Sequence, residues 1–115
     1  MVSLKSHIAL AVPSTDNINQ PADTGEYLAR VKRDFCNWFG ATTVSKSEGA
    51  YVAASGQVVN EIVMWVWSFC STKQLEAHTS QVISLAEQIC QDLHQESVAV
   101  IINNILFLVT APKSV

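Results

Sequence analysis

The feature that most constrains the fold of this chain is an apolar stretch at residues 58–70, VVNEIVMWVWSFC. Successive side chains of a β-strand point to opposite faces of the sheet, and here both alternating sets are apolar. The first set is Val59, Val63, Trp65, Trp67 and Phe69, and the second is Val58, Ile62, Met64 and Val66. Such a strand has to be covered on both faces, so it predicts a sheet buried between two layers.

One ionisable residue, Glu61, interrupts the interior of this strand and lies among Val59, Val63 and Trp65. An ionised carboxylate in apolar surroundings needs a partner. A salt bridge to Lys46 or Arg30 would be a purely structural solution, whereas a positively charged ligand would be a functional one. Glu61 is therefore the first candidate functional residue.

Hydrophobic spacing predicts two amphipathic helices. The first follows a capping box in which Glu26 complements Asp23 or Thr24. Its core-facing residues are expected to be Tyr27, Val31, Phe35 and Trp38. The second opens with a capping box of Ser71 and Gln74. Its buried stripe is expected to contain Leu75, Val82, Ala86, Ile89 and Leu93.

Turn signals divide the remaining chain into strands. A first strand at residues 7–12 ends at a proline, and a polar loop occupies residues 14–21. A glycine turn at residues 55–56 joins the long strand to a preceding one, whose pairing is expected to be interrupted at residues 46–49. Two asparagines at positions 103 and 104 predict a final tight turn between two short strands.

The resulting order is strand, helix, strand, strand, helix, strand, with one further strand at the end. This order predicts an α+β fold of the ferredoxin-like split βαβ type, βαββαβ plus a C-terminal strand. An antiparallel sheet would carry both helices on one face. We expect a single domain over residues 1–115, with a loose tail at residues 111–115.

The composition indicates an oligomer. Hydrophobic residues make up 49% of the chain and charged residues only 15%, whereas about 25% charged residues are usual in soluble domains. The face of the sheet without helices would then be covered by further copies of the chain, in a twofold or threefold homo-oligomer. The alternative is a monomer with an unusually apolar surface.

Charge and segment length exclude several classes of protein. A net charge of −3 argues against binding to a nucleic-acid backbone. No stretch approaches the ~20 apolar residues of a membrane span, and the apolar run at residues 8–12 is shorter than the core of a secretory signal, so a cytoplasmic protein is expected. The cysteines at positions 36, 70 and 90 lack the spacing of a metal site and predict reduced, buried thiols.

Three polar residues join Glu61 as candidates for a site, although standard catalytic signatures are missing. Tyr51 precedes the glycine turn and can share a sheet face with Glu61, while Gln95 and Glu96 lie at the junction of the second helix and the next strand. A phenol, an amide and carboxylates suit a cationic, hydroxyl-rich small molecule. Alternatively, Gln95 and Glu96 only terminate the helix.

The same residues lie in motifs with a family likeness. Residues 43–52 with GAY at 49–51, GQVVNE at 56–61 and QESV at 95–98 resemble small trimeric ferredoxin-like proteins related to the PII signalling proteins. Two branches are most similar: bacterial proteins of unknown function, and phage enzymes that degrade S-adenosylmethionine. The resemblance covers about residues 42–109.

This resemblance implies a homotrimer with its active site between subunits and a lyase reaction without a cofactor or metal. The carboxylate of S-adenosylmethionine would attack its own γ-carbon and release methylthioadenosine and homoserine lactone, an anti-restriction activity of phages. Tyr51 and Glu61 would be the catalytic residues, the first holding a bent substrate and the second binding its amine or ribose. Gln95 and Glu96 would bind substrate from the adjacent chain.

The sequence departs from the PII pattern in two ways. The short turn between the central strands argues against a PII-type signalling loop, and the lack of a basic cradle argues against polyphosphate ligands.

Two other functions are compatible with the sequence. The chain could instead be a non-catalytic PII-like module that binds a small metabolite. It could also be a protein-interaction domain that uses its apolar sheet face with Trp65 and Trp67.

Overall fold

The computed structural model of the protein describes residues 1–17 and 20–113. Seven strands and two helices lie within these ranges. They are, in chain order, β1 (Ser6–Pro13), β2 (Thr15–Asp16), β3 (Gln20–Pro21), α1 (Gly25–Phe39), β4 (Thr43–Val52), β5 (Val58–Cys70), α2 (Thr72–Asp92), β6 (Val98–Ile102) and β7 (Ile105–Val109).

The main sheet has five antiparallel strands in the order β4-β5-β1-β6-β7. This confirms the predicted α+β, ferredoxin-like arrangement with an added terminal strand. The predicted polar loop at residues 14–21 contains the small hairpin of β2 and β3, and its members Ile18 and Asn19 lie outside the described residues.

Both helices cover the same face of the sheet, and the hydrophobic core lies between these layers. Even-numbered residues of β1 and of the second half of β5 enter this core because they point towards the helices, whereas Val58 and Ile62 near the start of β5 are exposed. The fully buried members include Ile8, Leu10, Val12, Val31, Phe35, Val66, Val82 and Ile89. The odd-numbered residues of the same strands therefore lie on the opposite face, which we call the open face.

The first helix follows the prediction only in part. Val31 and Phe35 are buried and Tyr27 and Trp38 pack partly buried against the core, as expected, while Phe39 is a further buried residue that was not predicted. Thr24 lacks an extended backbone conformation and makes no side-chain cap. Instead, the Gly25 N–H donates to Asp23 Oδ1 at 3.0 Å, so the predicted capping box is absent.

The second helix confirms its prediction. The Gln74 N–H donates to Ser71 Oγ at 3.1 Å, and the Ser71 N–H donates to Gln74 Oε1 at 2.9 Å. This reciprocal pair of hydrogen bonds satisfies two backbone N–H groups and two side-chain oxygens at the start of α2. All five residues of the predicted stripe are buried.

The predicted turns are confirmed, whereas the predicted interruption of one strand is not. Asn103 and Asn104 have φ values of 48° and 70°, and Gly56 has a φ of 87°. The interruption predicted at residues 46–49 is wrong, because each of these residues pairs with β5. Hydrogen bonding to the long neighbouring strand outweighs the weak strand preference of this segment.

Two smaller predictions, on the burial of the cysteines and on the C-terminal tail, need correction. Cys70 and Cys90 are buried thiols, but Cys36 is exposed, because it follows Phe35 round the helix and leaves the buried face. In the predicted tail, Ala111 packs against the core and Pro112 and Lys113 are exposed, while residues 114–115 lie outside the described residues.

Candidate functional site

The open face carries apolar side chains that no element of the described chain covers. Trp65 and Trp67 have ring centroids 5.8 Å apart on β5, and Phe69 at the end of this strand is 65% exposed. On β7, Leu106 and Leu108 are also exposed. The second covering layer predicted for β5 is thus not supplied by the described residues of the chain itself.

A cleft of about 210 Å³ opens on this face at the end of β1. β1 stops at Pro13, which is paired with Val63, so residues 58–62 of β5 continue without a β1 partner. The small side chains of Ala11 and Ala99 keep the floor low. Pro13, Val63, Val98 and Leu108 complete the apolar part of the lining.

The cleft contains three ionisable side chains, those of Tyr51, Glu61 and Glu96. Ser97 adds a hydroxyl group to the lining. Three of the four residues selected from the sequence are therefore brought together within one chain. Tyr51 comes from β4, Glu61 from β5 and Glu96 from the segment before β6.

Tyr51 stays a neutral phenol near neutral pH. Partial burial raises its pKa above the usual 10.0, and the negative charges of Glu61 and Glu96 raise it further. Its ring shares the open face with Glu61, because both are odd-numbered residues of adjacent antiparallel strands in register. Tyr51 can therefore donate a hydrogen bond and offer its ring, but it does not serve as a base.

Glu61 is half-buried, and this burial raises the pKa of its carboxyl above 4.5. None of the other described residues forms a hydrogen bond or ion pair with it. Lys46 pairs with Met64 and so points to the helix side, while Arg30 lies 3.9 Å from Asp34. Neither cation proposed as a structural partner reaches this carboxylate.

Glu96 closes one end of the cleft. Its Oε1 accepts a hydrogen bond from the Ala54 N–H at 3.0 Å, which ties the β4–β5 turn to the segment before β6. The family resemblance implies that this residue serves a neighbouring chain. Here it lies in the cleft of its own chain, and this contact holds two walls together.

Gln95 does not line the cleft. Its Nε2 donates to the carbonyl oxygens of Thr15 and Leu93, both at 2.9 Å. The side chain therefore joins the segment after β1 to the end of α2. The neighbouring His94 has a φ of 51° and contacts Asp16 at 2.8 Å, which strengthens the same connection.

Sequence reasoning missed the floor of small side chains in the cleft. Ala9 and Ala11 alternate on β1, and Ala99 lies on β6, so the small residues share the open face. This alternation of small residues was the available signal. It marks where the sheet surface is low enough to leave space for a ligand.

No family model and no curated protein matches the sequence. Solved structures do resemble it. A phage SAM lyase (SAM, S-adenosylmethionine) in complex with S-methyl-5′-thioadenosine matches with a TM-score of 0.71 at 19% identity, over 96% of this chain and 93% of that chain. A phage SAM lyase in its apo state matches with a TM-score of 0.67 at 19% identity, over 99% of this chain and 98% of that chain.

This chain has the fold of a phage SAM lyase. The match extends over nearly the full length of both chains, so it includes the strands that build the cleft. At 19% identity the likeness concerns the fold, and the first of these neighbours is a complex with a small molecule.

The cleft suits a cation with an apolar body. Its charged groups are two carboxylates, and no Lys, Arg or His is among its lining residues. Across residues 1–17 and 20–113, no group of three His, Cys, Asp or Glu side chains could hold a metal ion. No helix within these ranges is long and apolar enough to cross a membrane.

Proposed function

We propose that this protein is a lyase that degrades S-adenosylmethionine into methylthioadenosine and homoserine lactone. The observation that carries the proposal is Glu61, a half-buried carboxylate without a partner among the described residues, at the wall of an apolar cleft. The fold shared with phage SAM lyase supports the choice of ligand. The substrate's positive charge would supply the missing partner.

The proposed reaction is an intramolecular displacement. A carboxylate oxygen of the substrate forms a bond to its γ-carbon, and the bond from that carbon to the sulfonium sulfur breaks. The electron pair of the broken bond stays on sulfur, which gives neutral methylthioadenosine, and the new five-membered ring is homoserine lactone. No proton is transferred, so the protein needs to supply position and environment but no nucleophile.

The apolar lining favours this step. Negative carboxylate and positive sulfonium neutralise each other in the transition state, so removing water from around them lowers the barrier. A protein carboxylate beside the sulfonium would stabilise the starting state more than the transition state. Glu61 therefore acts best on the substrate's ammonium group, whose charge does not change during the reaction.

Tyr51, Glu96 and Gln95 have separate roles in this proposal. Tyr51 packs against the substrate and holds it bent, so that the reacting atoms meet. Glu96 contacts substrate at the closed end of the cleft while it holds Ala54. Gln95, which the family resemblance suggests as a substrate contact, acts here by positioning Glu96 through its bonds to Thr15 and Leu93.

We further propose that the complete site forms in a homotrimer. The cleft of about 210 Å³ is smaller than the ~300–1,000 Å³ of typical ligand sites, so a single chain provides only part of the walls. The uncovered aromatic residues of the open face give neighbouring copies a surface to bury. We expect such an enzyme to act in the cytoplasm, where, by the family resemblance, it would lower the methyl donor available to host methylation and restriction.

Product analysis tests this function. The purified protein is incubated with S-adenosylmethionine, and methylthioadenosine and homoserine lactone are separated by chromatography. Because the same displacement proceeds slowly without protein, the rate is compared with a blank and with Glu61→Gln. The proposal expects equal amounts of both products from the wild type and, at low substrate concentration, a rate about 10- to 100-fold lower from the variant.

The outcomes separate the candidate functions. If no product forms but S-adenosylmethionine raises the melting temperature, the protein is a non-catalytic binding module and the lyase proposal is wrong. If neither product nor a thermal shift appears, ligand binding at the cleft is refuted as well. The apolar open face would then favour the protein-interaction function.

A further inference from the structure

Gly49 lies directly opposite Glu61 in the register of β4 and β5. Both positions are on the open face, so a side chain at position 49 would stand next to the Glu61 carboxylate. The residues before and after it on this face of β4 are Ser47 and Tyr51. The glycine therefore leaves a gap in the row of side chains beside the candidate ligand-binding carboxylate.

The fold itself does not require a glycine here. Gly49 lies outside the left-handed region that favours glycine, unlike Gly40 and Gly56. A Cβ atom built on Gly49 would meet no other heavy atom within 4 Å. Glycine inside a strand is also unfavourable, because it orders a flexible backbone without adding a packed side chain. Neither backbone conformation nor packing explains the residue.

The gap has a definite size and chemistry. At about 3.4 Å per residue, the α-carbons of Ser47 and Tyr51 are about 14 Å apart, with room between them for one side chain. One edge of this space is formed by Glu61, whose carboxylate has no cation partner among the described residues. A short aliphatic chain that carries an ammonium group fits this space. A nucleoside is wider and fits the apolar cleft beside the Tyr51 ring.

We infer that Gly49 is a specificity-determining position, which leaves room beside Glu61 for the aliphatic ammonium end of the sulfonium substrate. This inference rests on the proposed function and orients the substrate within it. The ammonium end lies over β4 on the side of Glu61 away from β1. The thioadenosine part lies in the cleft between β5 and β6.

Two probes separate the ends of the substrate. S-adenosylmethionine carries the ammonium end, whereas methylthioadenosine lacks it. KM for the first and Kd for the second are measured for the wild type, Gly49→Ala and Gly49→Val. Ala50→Val is the matched control, because Ala50 is the next residue of the same strand and faces the opposite side.

We expect Gly49→Val to raise KM for S-adenosylmethionine by about tenfold or more, and Gly49→Ala to raise it less. The Kd of methylthioadenosine should stay within about twofold, because that ligand does not occupy the gap. The melting temperature should be unchanged or higher, since both substitutions suit a strand better than glycine. Ala50→Val should leave both ligand constants unchanged.

Three results would overturn the inference. An active Gly49→Val variant with wild-type KM would show that nothing occupies the gap, and would leave the lyase function standing. Equal weakening of both ligands would place the nucleoside over Gly49 instead. A wild type that neither cleaves nor binds S-adenosylmethionine would refute the proposed function and this inference together.

Discussion

Tyr51 and Glu61 line one cleft, although they are diagonal neighbours rather than partners in the β4–β5 ladder. Tyr51 pairs with Val59, and Glu61 pairs with Gly49. Diagonal side chains on one sheet face are close enough for long or aromatic residues to interact. Burial, followed by the negative charges of Glu61 and Glu96, raises the pKa of Tyr51.

Replacing Glu61 with Gln removes the charge and keeps the shape of the side chain. If Glu61 binds the substrate's ammonium group, the loss of a hydrogen bond to a charged group costs about 1.5–3 kcal/mol, or about 10- to 100-fold in kcat/KM. Steady-state kinetics measure this loss. A variant with wild-type kcat/KM would show that the carboxylate has no role in the reaction.

The raised pKa of Glu61 predicts opposite effects of pH on stability and activity. The folded protein holds the proton more tightly than the unfolded chain, so the folded state loses stability as pH rises from about 4.5 through the raised pKa. Over the same range the ionised carboxylate forms, so kcat/KM should rise. Melting curves and kinetics across this range test both statements.

Glu61→Gln is the matched control for this pH dependence. The variant cannot ionise at position 61, so its melting temperature should exceed that of the wild type more at neutral pH than near pH 4. A constant difference at all pH values would mean that another group causes the dependence.

The hydrogen bond between Glu96 and Ala54 predicts a local effect on the β4–β5 turn. Glu96→Ala should speed hydrogen exchange of the Ala54 amide about fivefold or more, which corresponds to about 1 kcal/mol. Glu96→Gln keeps an oxygen acceptor and should retain protection. Exchange measured by NMR would contradict the contact if Ala54 behaved alike in all three proteins.

The open face predicts that Trp65 supports an assembly. Trp65→Ala should reduce the mass found by light scattering from three chains to one, because the ring lies partly exposed on the uncovered face. Trp38→Ala is the control, since Trp38 stacks on His78 at 5.8 Å on the helix side. A monomeric wild type would refute the trimer.

The capping box of α2 predicts a difference between two similar substitutions. Ser71→Ala should lower the free energy of unfolding by about 1 kcal/mol, because it removes the acceptor for the Gln74 N–H. Thr24→Ala should change it by less than about 0.5 kcal/mol, since Thr24 makes no side-chain cap. Urea denaturation compares the two, and equal losses would contradict this assignment of the caps.

The amino-acid sequence by itself determined the order of the two helices and the five strands of the main sheet, the start of α2 and the turn at Asn103 and Asn104. These features depend on contacts within a few residues, such as helical spacing, reciprocal capping and tolerance of positive φ. The alternation of β5 likewise determined that Glu61 shares a face with Trp65. Local patterns are sufficient for such predictions because the physical causes are local.

Only the tertiary structure decided which side chains meet. Pairing with β5 makes β4 continuous, the hydrogen bonds of Gln95 turn it towards Thr15, and the path of the chain before β6 brings Glu96 to Ala54. Residues far apart in sequence determine each of these outcomes. Their relative positions depend on strand register and on where β1 ends, which no short stretch of sequence specifies.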